Sequence, residues 1–361
     1  MSIKYNGGYI PAVGADGTTL VANSSASTGV SWAGPSVAAG KNAIINGGYD
    51  IAQRGTTFTN TGNGVYTFDR WTSASSSSTS VQTRQTTGVP AGVQYCMRVT
   101  YNAASSYYNV NQYIETANVS QMWGKTVTFS VKLRKNATFA TNMQITIYKT
   151  STVDGGNSAT WTALASTSIT NASLSTGTTS ADWYTASVTT NIPADGTANG
   201  LKVGIEEISA GVSGAYYEIA QPQLELGSTA TTFSRAGGSI GGELAACQRY
   251  YYRNNSGGSS TFFAGGIGAY ATTNAICSVV LPVPMRVTPT VIDTSGTASN
   301  YRLYNGVRNL ALSVVPTINS DSSPTTVQLI ATVTTGLTVG DVASLTGNSS
   351  TSAYIGLGAE L

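Results

Sequence analysis

TVTFSVKLRK, residues Thr126 to Lys135, alternates in character without a break. Val127, Phe129, Val131 and Leu133 fall on one side of an extended chain, with Thr126, Thr128, Ser130, Lys132 and Arg134 on the other. A period of two marks a half-buried β-strand. The pattern recurs in both directions. VYTFDRWT, TSVQTRQ, VQYCMRVTY and YYNVNQYIE precede it, and MQITIYKT, WYTASVTT, LKVGIEE and AYYEIAQPQLELG follow. With AIINGGYDIAQ at the front, about ten strands are expected, separated by Gly/Asn/Ser clusters at Ser75 to Ser78, Asp154 to Asn157 and Ala194 to Gly200. So many short strands with long connections fit a two-sheet jelly-roll β-sandwich better than a meander.

One short helix is expected in GGELAACQRYY, where Leu244, Cys247, Gln248 and Tyr251 fall at i, i+3, i+4 and i+7, after Gly241-Gly242 and with Glu243 in the first turn. It hands the chain to a smaller C-terminal β-domain with strands in TFFAGGIGAY, AICSVVLPVP, YRLYNG, NLALSVV, TTVQLIATVT and SAYIGLGAEL. Pro282, Pro284 and Pro289 confine LPVPMRVTP to a strand end or sheet edge. Residues 1–40 read as an extended lead rich in Gly, Ser, Ala and Thr, too sparse in apolar anchors to bury a core alone. The expected division is therefore 1–40 lead and attachment segment, 41–238 jelly roll and 239–361 C-terminal β-domain, in an all-β chain.

Only 9% of residues are charged, against about 25% in an average soluble domain. Hydroxyls and amides must keep the surface wet, as they do in many extracellular and virion β-proteins. The net charge of +2 has no basic run behind it, so nucleic acid is not an expected partner. No apolar stretch approaches the roughly 20 residues of a membrane span, and MSIKYNGGYIPAVGADG lacks the apolar region of a secretory signal. Neither membrane insertion nor export is expected. Cys96, Cys247 and Cys277 lack the paired spacing of a zinc site and read as small buried hydrophobes. The chain has no histidine, which excludes Ser-His-Asp and Cys-His nucleophiles, imidazole acid/base catalysis and His-ligated metal.

KNAIINGGYDIAQRGTTF, VYTFDRWT, QPQLELGSTATTF, GGELAACQRYYYR, LPVPMRVTPT and a final AEL follow one another in an order that resembles a family of tailed-bacteriophage fibre and virion structural proteins. The resemblance covers residues 41–361, and residues 9–32 separately resemble a lead segment of phage fibres and head-associated appendages. It implies a carbohydrate-binding-module-like jelly roll, a homotrimer, no enzymatic activity, no cofactor, and a place on the virion surface after synthesis in the host cytoplasm. Implied partners are other copies of the chain, other virion proteins through the lead, and a host surface glycan. A capsid-attached head fibre or decoration protein is the alternative within the structural class, and a glycan-degrading tailspike the alternative outside it. In related jelly-roll modules a calcium sits between the Asn-Gly-Gly turn and a pair of acids near the last strand. Here Asp50 is present, but Ala220 and Gln221 stand where that pair would be, so no metal is expected.

Asn46-Gly47-Gly48 reads as a tight turn, and Gly237 to Gly242 as a hinge, since no Lys occupies a Walker position and Glu243 would repel phosphate. Glycan binding calls for exposed rings that stack on sugar faces beside amides that bond hydroxyls. Tyr107 and Tyr108 beside Asn109, Asn111 and Gln112, and Trp161 after Gly155-Gly156, are the candidates. Tyr66, Phe68 and Trp71 read as core. Tyr250-Tyr251-Tyr252 offers one or two rings to a subunit interface. A glycosidase needs two carboxylates about 5 to 9.5 Å apart, and Glu206-Glu207, adjacent on a strand, would point to opposite faces.

Overall fold

The computed structural model describes residues 41–59, 62–75, 80–103, 107–208 and 211–361, and within 1–40 only the backbone strands Lys4–Tyr5, Gly8–Tyr9, Thr19–Ala22 and Val30–Ala33, paired antiparallel two by two. The expected packing of the lead against a partner lies outside the described residues.

The chain is all-β, with a sandwich followed by a barrel. One sandwich sheet runs Thr162–Ile169, Met143–Thr150, Gly200–Glu207, Tyr108–Ile114, Thr72–Ser75, Val65–Tyr66. The facing sheet runs Ser175–Thr176, Thr126–Lys135, Tyr216–Leu226, Cys96–Tyr101, Ser80–Gln85, Thr57–Thr59, with Tyr184–Asn191 also paired to Thr126–Lys135. Alternation decides what lies between the sheets. Val127, Phe129, Val131 and Leu133 are all in the core, with Ile145, Ile147, Val203, Ile205, Phe68 and Trp71. The polar side of Thr126–Lys135 is not open as expected: Thr128, Ser130 and Arg134 are buried. Arg134 bonds the carbonyls of Thr87, Gly88 and Thr179 and pairs with Glu218, so neighbouring loops fold over this face.

AIINGGYDIAQ is a turn and not a strand. Asn46 and Tyr49 adopt left-handed φ of 59° and 53°. The Asn46 side chain donates to the carbonyls of Ile51 and Asp69 and accepts from Ile51 N, a local alternative that outcompetes pairing.

The helix spans Ile240–Gln248, so Gly241 and Gly242 lie inside it, and Ser239 caps it by accepting from Gly242 N. Gly237 and Gly242 touch backbone to backbone, and a Cβ on either would collide with the other. The expected hinge is thus a packed crossing. Beyond the helix, Tyr251–Asn255, Tyr354–Gly358 and Val291–Thr294 form one sheet, and six strands close a barrel: Phe262–Ala269, Asn274–Val280, Thr326–Val333, Asn309–Ile318, Tyr301–Tyr304 and Ser344–Gly347. LPVPMRVTP follows the end of Asn274–Val280 without joining a strand. All three cysteines are free and buried.

Sandwich and barrel meet through the sequence blocks that frame them. Glu243, with no exposed surface, accepts from Asn46 N and Gly237 N, and Gln53 bonds both Asp69 and the Tyr251 carbonyl. Glu360 pairs with Arg54 and Arg70, whose guanidinium groups lie 3.4 Å over the Tyr251 ring and 3.6 Å over the Tyr250 ring. Tyr250 and Tyr251 therefore serve an interface within the chain. Tyr66, expected in the core, is half-buried, and its hydroxyl donates to the Leu361 carbonyl at 3.0 Å.

Candidate functional site

Strand parity sorts the candidate residues. Along Tyr108–Ile114, Tyr108, Val110, Gln112 and Ile114 face inward, and Asn109, Asn111 and Tyr113 face outward. Tyr108, expected to stack on a sugar, is fully buried, its hydroxyl accepting from Gln82 Nε2 at 2.9 Å. No glycan can reach it. Gln112 also points in and clamps both the N–H and the carbonyl of Ile45. Tyr107 is half-buried one residue before the strand.

The outward residues meet partners from strands far apart in sequence. Tyr113 stands opposite Lys202 and Asn109 opposite Glu206, while on the next strand Tyr148 stands opposite Lys202 and Gln144 opposite Glu206. Trp161, just before Thr162–Ile169, swings over the same face and stacks on Tyr113, centroids 5.5 Å apart at 25°. The indole donates to the Gly156 carbonyl at 3.1 Å. Lys202 Nζ lies 3.9 Å from the Tyr148 ring centre and 5.6 Å from that of Trp161. Burial pushes this ammonium below its ordinary pKa, with Glu206 opposing.

Further along, Glu206 accepts from Thr146 at 3.0 Å and from Tyr148 and Gln144, so its carboxylate is held in place. Asn109 and Asn111 each carry a buried Oδ1 without a hydrogen-bond partner among the described residues. One sheet face thus gathers stacked rings, a cation, amides, a hydroxyl and one carboxylate. Of the residues expected from sequence, the structure brings together Asn109, Asn111 and Trp161 and leaves Tyr108 inside. Tyr113, Gln144, Tyr148, Lys202 and Glu206 were not foreseen. Their signal was available in MQITIYKT, where Gln144, Thr146 and Tyr148 alternate with core Met143, Ile145 and Ile147.

The loop carrying Trp161 is braced by the C-terminal domain. Arg286 pairs with Asp154 at 3.1 Å and bonds the carbonyls of Ala359 and Glu360. Gly156 sits so close to the Leu361 backbone that any side chain there would collide. Tyr113 Oη donates to Asn157 Oδ1 at 3.2 Å.

Asp50 does not wait for a cation. Arg235 bonds both its oxygens, at 2.7 and 3.3 Å, and Gln221 Nε2 donates to the Ala91 carbonyl. No group of three or more His, Cys, Asp or Glu suited to a metal occurs among the described residues. No helix among them is long and apolar enough to cross a membrane.

Glu207, one residue on, points the other way into the sandwich, where Tyr101 and Thr141 donate to it. It is 4% exposed, and burial raises its pKa from 4.5 to about 7. The unfolded chain ionises this group first, so the penalty for its charge is absent below pH 4.5, grows across the interval and is complete above pH 7. Urea denaturation of wild type and Glu207→Gln at pH 5 and pH 8 is expected to show the variant gaining up to about 3 kcal/mol relative to wild type at the higher pH.

No protein-family model matches this chain, and no curated protein matches it at a significant level. Among solved structures, the enzymatically active domain of tailspike protein 4 from bacteriophage CBA120 is similar over 52% of this chain and 21% of its own, at 14% identity and a TM-score of 0.34. TmCBM61, solved with beta-1,4-galactotriose, is similar over 52% of this chain and 99% of its own, at 13% identity and a TM-score of 0.33. A cyclase from Fischerella sp. TAU is similar over 52% and 97%, at 13% identity and a TM-score of 0.34. A tailspike, a glycan-binding module and a cyclase stand at the same distance, so the likeness does not choose among them.

Proposed function

We propose that this chain is a non-enzymatic adhesion subunit of a tailed-phage virion appendage, a homotrimer that binds host surface glycans through the outer face of its six-stranded sheet. The observation that carries the reading is the convergence of half-buried Trp161, Tyr148 and Lys202 at one end of that face, with buried Tyr113 stacked behind Trp161, and of Gln144 and Glu206 in line beyond them, the carboxylate fixed from below by buried Thr146. Ring faces pack against the C–H face of a pyranose, and fixed amides and carboxylates meet its hydroxyls. Glu206 is the single acid among the outward positions of the Tyr108–Ile114, Met143–Thr150 and Gly200–Glu207 strands, since Glu207 faces the core. A hydrolase would need a second carboxylate there. Three copies on one appendage would raise weak single-site affinity through effective concentration.

Crystals grown with an oligosaccharide released from the host surface are expected to show the sugar over Trp161 and Tyr148. A bound sugar with none over Trp161 and Tyr148 would remove the sheet-face assignment. Prolonged incubation with host capsule or lipopolysaccharide is expected to release no new reducing or unsaturated ends, and native mass spectrometry to give the trimer. New ends, or monomer alone at micromolar concentration, would contradict the corresponding parts.

A further inference from the structure

On the opposite side of the sandwich, against the seven-stranded sheet, lies a cavity of about 260 Å³ lined by Ser130, Lys132, Thr185, Gln221, Gln223 and Phe233, among others. Its shape comes from an irregularity in the sheet. Ser130 pairs with Gln223 and Lys132 with Ala220, so the Tyr216–Leu226 strand carries one extra residue there, and Gln221 takes a left-handed φ of 54°. A bulge of this kind turns side chains out of the regular pleat.

Ser130 and Gln221 are 6% and 8% exposed, yet among the described residues the Ser130 hydroxyl has no hydrogen-bond partner and Gln221 uses only its Nε2, on Ala91. Neither free oxygen is sealed from solvent. Both residues line the cavity. Lys132 has no counter-ion among the described residues, because the acids of the adjacent strand are engaged elsewhere: Glu218 by Arg98 and Arg134, Glu225 by Lys41.

We propose that this cavity is a second saccharide site, selective for a monosaccharide unit bearing a carboxylate, such as a hexuronate. Lys132 takes the carboxylate, the Gln221 Oε1 and the hydroxyls of Ser130 and Thr185 take sugar hydroxyls, and Phe233 covers an apolar edge. The volume sits just under the roughly 300 Å³ at which small-molecule sites begin, which suits one ring. The site does not depend on the sheet-face reading, since it uses none of the same residues.

The test is calorimetric titration of the full chain with D-glucuronate, D-glucose and inorganic phosphate, using wild type, Lys132→Gln, Ser130→Ala and Trp161→Ala. Glucuronate is expected to bind wild type and Trp161→Ala equally, and Lys132→Gln at least about tenfold more weakly. Ser130→Ala, which removes one hydroxyl from a surface cavity and is expected to fold normally, weakens it by a smaller factor. Glucose and phosphate each bind at least about tenfold more weakly than glucuronate, lacking one half of the recognition. Equal binding by glucose or phosphate, loss of glucuronate binding in Trp161→Ala, unchanged binding in Lys132→Gln, or no glucuronate binding to wild type would overturn the assignment.

Discussion

Glu360→Ala is expected to destabilise the protein by about 3 to 5 kcal/mol, the usual cost of removing one partner from a buried ion pair. Arg70 is 1% exposed on its side chain and has Glu360 as its carboxylate partner. Without that charge the guanidinium remains inside the junction, held by the Tyr113 carbonyl and the Tyr250 ring. Arg54, 12% exposed, loses the same partner. The midpoint of urea unfolding measures the loss. The mechanism has its own control, because Arg70→Met with Glu360→Leu removes both charges and is expected to recover most of the stability. A double variant as unstable as Glu360→Ala would show that lost packing or the Arg54 charge still left without its partner, and not the orphaned Arg70, sets the cost.

Glu243→Ala is the second large effect, at about 3 kcal/mol. The carboxylate is fully buried, and burial raises its pKa. Its two oxygens accept the N–H groups of Asn46 and Gly237, and alanine leaves the buried Asn46 donor and the half-buried Gly237 donor unmet, the former at about 1 to 3 kcal/mol and the latter at less. Glu243→Gln keeps one acceptor oxygen and is expected to cost about 1 kcal/mol. Thermal unfolding of the three proteins at one pH separates these values. Equal melting of Glu243→Ala and wild type would mean that the contact between the two framing blocks contributes nothing.

Both effects lie where the sequence blocks of the resemblance converge. Asn46, Gly237, Glu243, Tyr250, Tyr251 and Glu360 come from the start, middle and end of the described chain, and the structure packs them into one junction. What a family-like spacing carries here is a joint that holds the Trp161 loop through Asp154 and Gly156.

The all-β sandwich was legible because its strands advertise a period of two. Every inward residue named in TVTFSVKLRK lies in the core. TALASTSI, the strand Thr162–Ile169, escaped notice because Ala, Ser and Thr give little contrast between faces. AIINGGYDIAQ misled in the opposite sense, its alternating Ile and Tyr concealing two left-handed residues and an asparagine that bonds its own neighbours. Closure of the barrel depends on Ser344–Gly347 pairing with both Phe262–Ala269 and Tyr301–Tyr304, long-range contacts that no local pattern encodes.

The candidate site was legible in kind but not in membership. Rings beside amides pointed to Tyr108–Ile114, a strand of the proposed face, yet one register step separates Tyr108 in the core from Asn109 outside. Tyr148 and Lys202 joined it only through pairing between Met143–Thr150 and Gly200–Glu207.

Binding of the purified chain to an array of host surface glycans, repeated with Trp161→Ala and Tyr148→Ala, tests the central claim most directly. Loss of one stacking ring is expected to weaken binding to the best glycan by about tenfold, roughly 1.4 kcal/mol, with folding intact by circular dichroism. Undiminished binding by both variants would contradict the assignment of the six-stranded face as the adhesive surface.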